Sequence, residues 1–144
     1  MLAQLDQVSG SASPQSLRFV ETLQLAALDA QFVQESGPGD FQSKRAVFSK
    51  LAAVLPPNVV VATSTSGLLI SDLQRDLRTA SRFIVGHPFN PPHLMPLVEV
   101  VPGKATAPQV VDCTIAFYRT LCRKPIRINR EVPGVKISML DDSA

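Results

Sequence analysis

Apolar and polar residues follow two rhythms along this chain. Over residues 41–55 the apolar positions Phe41, Ala46, Phe48, Leu51, Ala52 and Leu55 keep roughly helical spacing. That predicts an amphipathic helix, with Asp40 as its N-cap and Pro56-Pro57-Asn58 as its stop. Residues 59–62, Val-Val-Val-Ala, form an unbroken apolar run bounded by turn signals, the pattern of a strand covered on both faces. The same reading predicts short strands over 17–20 and 31–35, the second ended by Gly37-Pro38-Gly39. It places short helices over 22–29 and 68–77, and a buried strand over 83–86. A shorter strand over 97–101 is expected at the edge of the sheet. Pro108 opens a helix running to about residue 121, with Val111, Ile115, Tyr118 and Cys122 on its apolar side. Residues 124–129 alternate apolar and polar, as an edge strand with one wet face does. Strands alternating with helices predict one α/β domain built on a mostly parallel sheet.

Composition narrows the choices. With 144 residues, 45% of them hydrophobic, the chain can bury a real core. Its formal net charge is +2 and acids and bases are interspersed, so nucleic acid is a poor partner; Arg123-Lys124 is typical of its short basic clusters. No apolar run approaches the roughly 20 residues of a membrane span. The Gln/Ser-rich residues 1–16 read as an irregular lead-in rather than a signal peptide. A cytoplasmic chain is expected, with peroxisome and mitochondrion as alternatives. Cys113 and Cys122 are expected to be buried or half-buried free thiols, and no Cys/His cluster points to a metal.

The chemistry concentrates between Val59 and Val101. A strand there ends in Thr63-Ser64-Thr65-Ser66-Gly67, the next ends in His87, and a third carries a lone acid, Glu99. Open α/β sheets gather their chemistry at the carboxyl ends of their strands, so a hydroxyl, an imidazole and a carboxylate are expected at one rim. An imidazole oriented by a carboxylate is common equipment for moving a proton near neutral pH.

The segments S-T-S-G-L, G-H-P-F-N-P-P, L-V-E-V-V and E-V-P-G, in this order, resemble the NAD-dependent 3-hydroxyacyl-CoA dehydrogenases. Their spelling is most similar to the branch containing carnitine dehydrogenase and the lambda-crystallin/gulonate dehydrogenase proteins. The resemblance covers about residues 17–134, with Ser66 twenty-one positions before His87 and Glu99 twelve after it. It implies a partial Rossmann-type fold, the C-terminal half of an NAD-binding domain, with the helical substrate domain absent. It implies NAD as cofactor and an acyl-CoA or related 3-hydroxy acid as substrate. His87 would be the general base, Glu99 would orient its ring, and Ser66 would hydrogen-bond the substrate oxygen beside the nicotinamide. Asn90 would contact substrate or nicotinamide, and Lys44 would make a cofactor-side contact.

Each assignment has a plainer competitor. Ser66 lies in a hydroxyl-rich turn that could simply cap a helix. Asn90 before Pro91 is a common turn residue. Lys44 could be a solvated lysine on an exposed helix face, and His93 reads as surface. The chain also departs from the family pattern. It contains no G-x-G-x-x-G, its G-x-G at 37–39 being followed by Asp40 and Phe41. The acid expected five residues before Lys44 is replaced by Gly39. Residues 135–144 form a divergent tail in which Ser138 stands where the family has a pocket Asn. These departures motivate a second reading, a truncated and catalytically silent derivative whose open sheet edge is covered by a partner chain or a second copy. A third is a longer gene product whose transcript carries the missing phosphate loop.

Overall fold

The computed structural model describes residues 17–131. The expected lead-in and divergent tail, including Ser138, lie outside the described residues. Five strands form one sheet in the order β1-β2-β3-β4-β5, with β1 Phe32–Glu35, β2 Val60–Thr63, β3 Phe83–Pro88, β4 Leu97–Pro102 and β5 Lys124–Arg127. The helices are α1 Leu23–Ala27, α2 Phe41–Val54, α3 Ile70–Leu73 and α4 Pro108–Thr120, and a 3₁₀ turn, Ala80–Arg82, leads into β3. The α/β class and mostly parallel sheet are as expected.

The alternation of side chains along β2 explains why its whole run is apolar. Val59 and Val61 point into a core shared with Phe48 and Leu51 of α2, Ile70 and Leu73 of α3, and Phe83 and Val85. Val60 and Ala62 point the other way, into a core with Ile84, Val98, Val100 and the α4 residues Val110, Val111 and Tyr118. In a sheet covered on both faces, a polar residue in a central strand needs a buried partner, so β2 stays apolar up to Thr63 at its end. Each fully buried Val, Ile or Phe contributes about 1.5–3 kcal/mol, so these two layers supply most of the driving force.

Three expectations are corrected. Residues 17–20 form no strand, and Leu17 and Phe19 are exposed. Regular helix in the 68–77 segment is confined to Ile70–Leu73. β4 is interior, because it pairs antiparallel with β3 on one side and parallel with β5 on the other. The edge position belongs to β5, whose Pro125 has no N–H to give a further strand.

The C-terminus of α2 ends on a buried cation. Arg82 is 2% exposed, and its guanidinium donates to the carbonyls of Leu51, Ala52, Leu55 and Pro56. Ala52 O lies in the last turn, where a helix runs out of N–H partners; Leu51 O also accepts from Leu55 N at 3.0 Å, and a cation there meets the negative end of the helix dipole. Burial pulls the Arg82 guanidinium below its usual range, yet an arginine stays charged at neutral pH. Arg82→Met keeps the apolar stem and removes the donors, so it is expected to lower stability by about 2–3 kcal/mol. Chemical denaturation checks this, and an unchanged midpoint would mean that water caps the helix equally well.

The thiols are free, but Cys113 and Cys122 are both exposed rather than buried. The inward stripe of α4 is Val110, Val111, Thr114 and Tyr118, which turns Cys113 outward. Cys122 follows the helix with φ 55°, a left-handed residue of the kind that ends helices and carries the chain away from the core. No described helix is long and apolar enough to cross a membrane.

Candidate functional site

His87 and Glu99 meet because β3 and β4 form an antiparallel pair. Their Cα atoms are direct register partners, and directly opposed side chains on one face of such a pair stand within contact distance. His87 Nδ1 lies 3.1 Å from Glu99 Oε2, with side-chain exposures of 22% and 15%. With Glu99 as carboxylate this contact needs the proton on Nδ1, which leaves Nε2 as the nitrogen with a free lone pair. The expected pairing of imidazole and carboxylate is therefore present, but one part of its rationale needs correction. Glu99 sits near the start of β4, not at its carboxyl end. Antiparallel pairing, rather than a common strand direction, brings it beside the end of β3.

Ser66 is exposed in the turn after β2 and lies between two hollows. The first, about 100 Å³, is lined by Ser66, Val85, Glu99, Ile128, Arg130 and Glu131, among others. The second, about 310 Å³, is lined by Gly37, Gly39, Lys44 and residues 64–68. Ser66 thus faces Glu99 across one hollow and Lys44 across the other. In the same turn, Thr65 rather than Ser66 supplies the local cap, its Oγ1 accepting from Leu68 N at 3.3 Å. Asn90 is exposed just beyond β3, and His93 is exposed in the following loop.

Lys44 is not solvated. It is 3% exposed, and its Nζ donates to Glu35 Oε1 (3.0 Å), Glu35 Oε2 (2.8 Å) and Gly37 O (3.2 Å). All three ammonium hydrogens are taken, so Lys44 helps shape the hollow rather than offering a free donor to it. Thr63 Oγ1 and Gly37 N also donate to the Glu35 carboxylate, each at 2.6 Å. Burial alone would raise the Glu35 carboxyl, but the hydrogen bonds from Lys44, Thr63 and Gly37 and the lysine charge outweigh it and hold the group below its ordinary value.

Glu35 carries no role in the sequence reading, although an acid closing a strand before Ser36-Gly37 is the same kind of signal as His87 closing β3. Glu131 is a second such residue. Its carboxylate accepts from Ser71 N at 2.8 Å and from the Ser71 hydroxyl, which draws the segment after β5 across the smaller hollow. Among the described residues no three His, Cys, Asp or Glu side chains are grouped to hold a metal ion.

Residues 3–132 match the family described as 3-hydroxyacyl-CoA dehydrogenase, NAD binding domain. The chain belongs to the 3-hydroxyacyl-CoA dehydrogenase family. Among its relatives are L-carnitine dehydrogenases from Streptomyces griseus subsp. griseus, 44% identical over 99% of this chain and 42% of that enzyme, and from Burkholderia mallei, 45% identical over 85% of this chain and 38% of that enzyme. Similar solved structures include an NAD+-dependent 5-formyl-3-hydroxy-2-methylpyridine 4-carboxylic acid 5-dehydrogenase with TM-score 0.82 and 30% identity, covering 92% of this chain and 43% of that one. Another is the 3-hydroxybutyryl-CoA dehydrogenase of Escherichia coli, with TM-score 0.72 and 33% identity, covering 75% of this chain and 23% of that one. The chain therefore spans about two fifths of the length of the curated relatives it matches and corresponds to a Rossmann-type fragment whose cofactor is NAD. The larger hollow is open enough to admit part of such a cofactor. It is walled by hydroxyl groups and glycines, and a Cβ built at Gly39 or Gly67 would meet nothing within 4 Å. The G-x-G-x-x-G sequence that cradles a pyrophosphate is not part of this chain.

Proposed function

We propose that the chain carries the proton-transfer half of an NAD-dependent dehydrogenase that oxidises the 3-hydroxyl of a 3-hydroxy acid or its thioester. The observation that carries this reading is the 3.1 Å contact between His87 Nδ1 and Glu99 Oε2. It leaves Nε2 free to take the hydroxyl proton, while the hydrogen on the same carbon leaves with its electron pair. When bound, NAD supplies the acceptor for that hydride. Ser66 polarises the oxygen as it becomes a carbonyl, Glu99 keeps the imidazole in the productive tautomer, and Asn90 borders the same rim. The turn held by Glu35 and Lys44, with Ser64 to Gly67 opposite, forms the cofactor side. The relatives named as L-carnitine dehydrogenases favour a 3-hydroxy acid of the carnitine type over a long acyl thioester.

Titrating NADH into the purified chain tests cofactor binding, and L-carnitine or a short 3-hydroxyacyl-CoA is then offered together with NAD+ to test turnover. Saturable binding at micromolar concentrations with turnover of either substrate is the expected result. No binding up to millimolar concentrations would favour a catalytically silent relative, a reading motivated by the lack of a G-x-G-x-x-G sequence in this chain.

A further inference from the structure

We propose that Gln34 and Tyr118 form a relay that orients the peptide bearing His87 from the opposite face of the sheet; this rests on the role proposed above for His87. Phe89 N donates to Leu97 O at 3.1 Å, and in an antiparallel ladder successive residues alternate in the side to which their polar groups point. Gly86 accordingly turns its carbonyl toward β2. The pairing of β2 ends at Thr63, opposite Val85, one residue short of Gly86. The side chain of Gln34 takes over there, donating from Nε2 to Gly86 O at 3.1 Å.

The amide of Gln34 is itself oriented by Tyr118, whose hydroxyl donates to Gln34 Oε1. Tyr118 is 4% exposed, and burial pushes its phenol well up, so it remains a donor throughout the neutral range. Close approach here depends on glycine, because a Cβ at Gly86 would stand 2.1 Å from the Tyr118 hydroxyl oxygen. Gln34 reaches the in-plane Gly86 carbonyl from the face that carries Tyr118, and because side chains alternate along a strand, fixing that peptide sets the direction in which His87 leaves on the other face. Rotating that peptide moves the imidazole away from Glu99. Gln34 and Tyr118 line neither hollow beside Ser66, and their role is positioning.

The test uses Tyr118→Phe and Gln34→Met in the full 144-residue chain, which contains two histidines. Histidine-selective NMR is expected to show the His87 resonance displaced in both variants, while that of the exposed His93 stays in place and reports an intact fold. kcat is expected to fall about 10-fold with KM for NAD unchanged, since misplacing a reacting group by about 1 Å costs up to about 10²-fold. Displacement of the His87 resonance in a chain without turnover upholds the relay and sinks the dehydrogenase reading instead. Turnover in the parent chain, with both variants leaving kcat and the His87 resonance unchanged, overturns the relay.

Discussion

Replacing His87 by alanine is expected to remove turnover, by about 10²–10⁴-fold, while NADH affinity stays within the error of its measurement. The separation follows from geometry. His87 stands on the rim beside Glu99, whereas the hollow proposed as the cofactor side is bounded by Gly37, Gly39, Lys44 and residues 64–68. Under the proposed mechanism, removing the imidazole deletes a proton acceptor used in the transition state and no contact used to bind the dinucleotide. Steady-state rates combined with fluorescence titration of NADH decide the matter. A variant that keeps more than about a tenth of the parent rate would show that another group, or water, takes the proton.

The second large effect is on stability. Lys44→Met leaves the Glu35 carboxylate buried without its cation, and breaking a buried pair by removing one partner costs about 3–5 kcal/mol. Adding Glu35→Gln to the same chain removes the stranded charge and is expected to recover much of the loss. Urea denaturation of the two single variants and the double variant tests this. A double variant no more stable than Lys44→Met would mean that packing of the lysine stem, not the charge, is what the fold requires.

The same pair predicts an acid limb in the stability profile. The folded Glu35 carboxyl titrates below its reference value of 4.5, so the unfolded chain takes up the proton first as pH falls. The contribution of the pair is therefore complete above about pH 4.5 and is lost as pH drops through the lower, folded value. Glu35→Gln should flatten that part of the curve, and an unchanged acid limb would assign it to other carboxylates.

Much of this was legible in the residues, for reasons that can be named. The apolar run of β2 announces a strand covered on both faces, and the Asp40 cap is real, its side chain accepting from Ser43 N at 2.8 Å. His87 and Glu99 are readable because both carry chemistry in otherwise apolar strands. The direction of β4 is not readable, because a sequence shows where a strand starts but not which neighbour it joins. Lys44 misleads for a related reason. A lysine at helical spacing looks solvated until Glu35, nine residues earlier, closes beneath it. Arg82 and the Tyr118–Gln34 contact depend on elements brought together only in the folded sheet, so no local pattern could reveal them.

The hairpin geometry of β3 and β4 makes the pairing of imidazole and carboxylate a matter of register. Lengthening or shortening the connection at residues 89–96 leaves it intact whenever the strands stay aligned. A slip of a single position would set Val98 or Val100 against the imidazole and carry Glu99 to the other surface. Loop length in this stretch can therefore drift freely in evolution or design, on the condition that the register of the two strands does not.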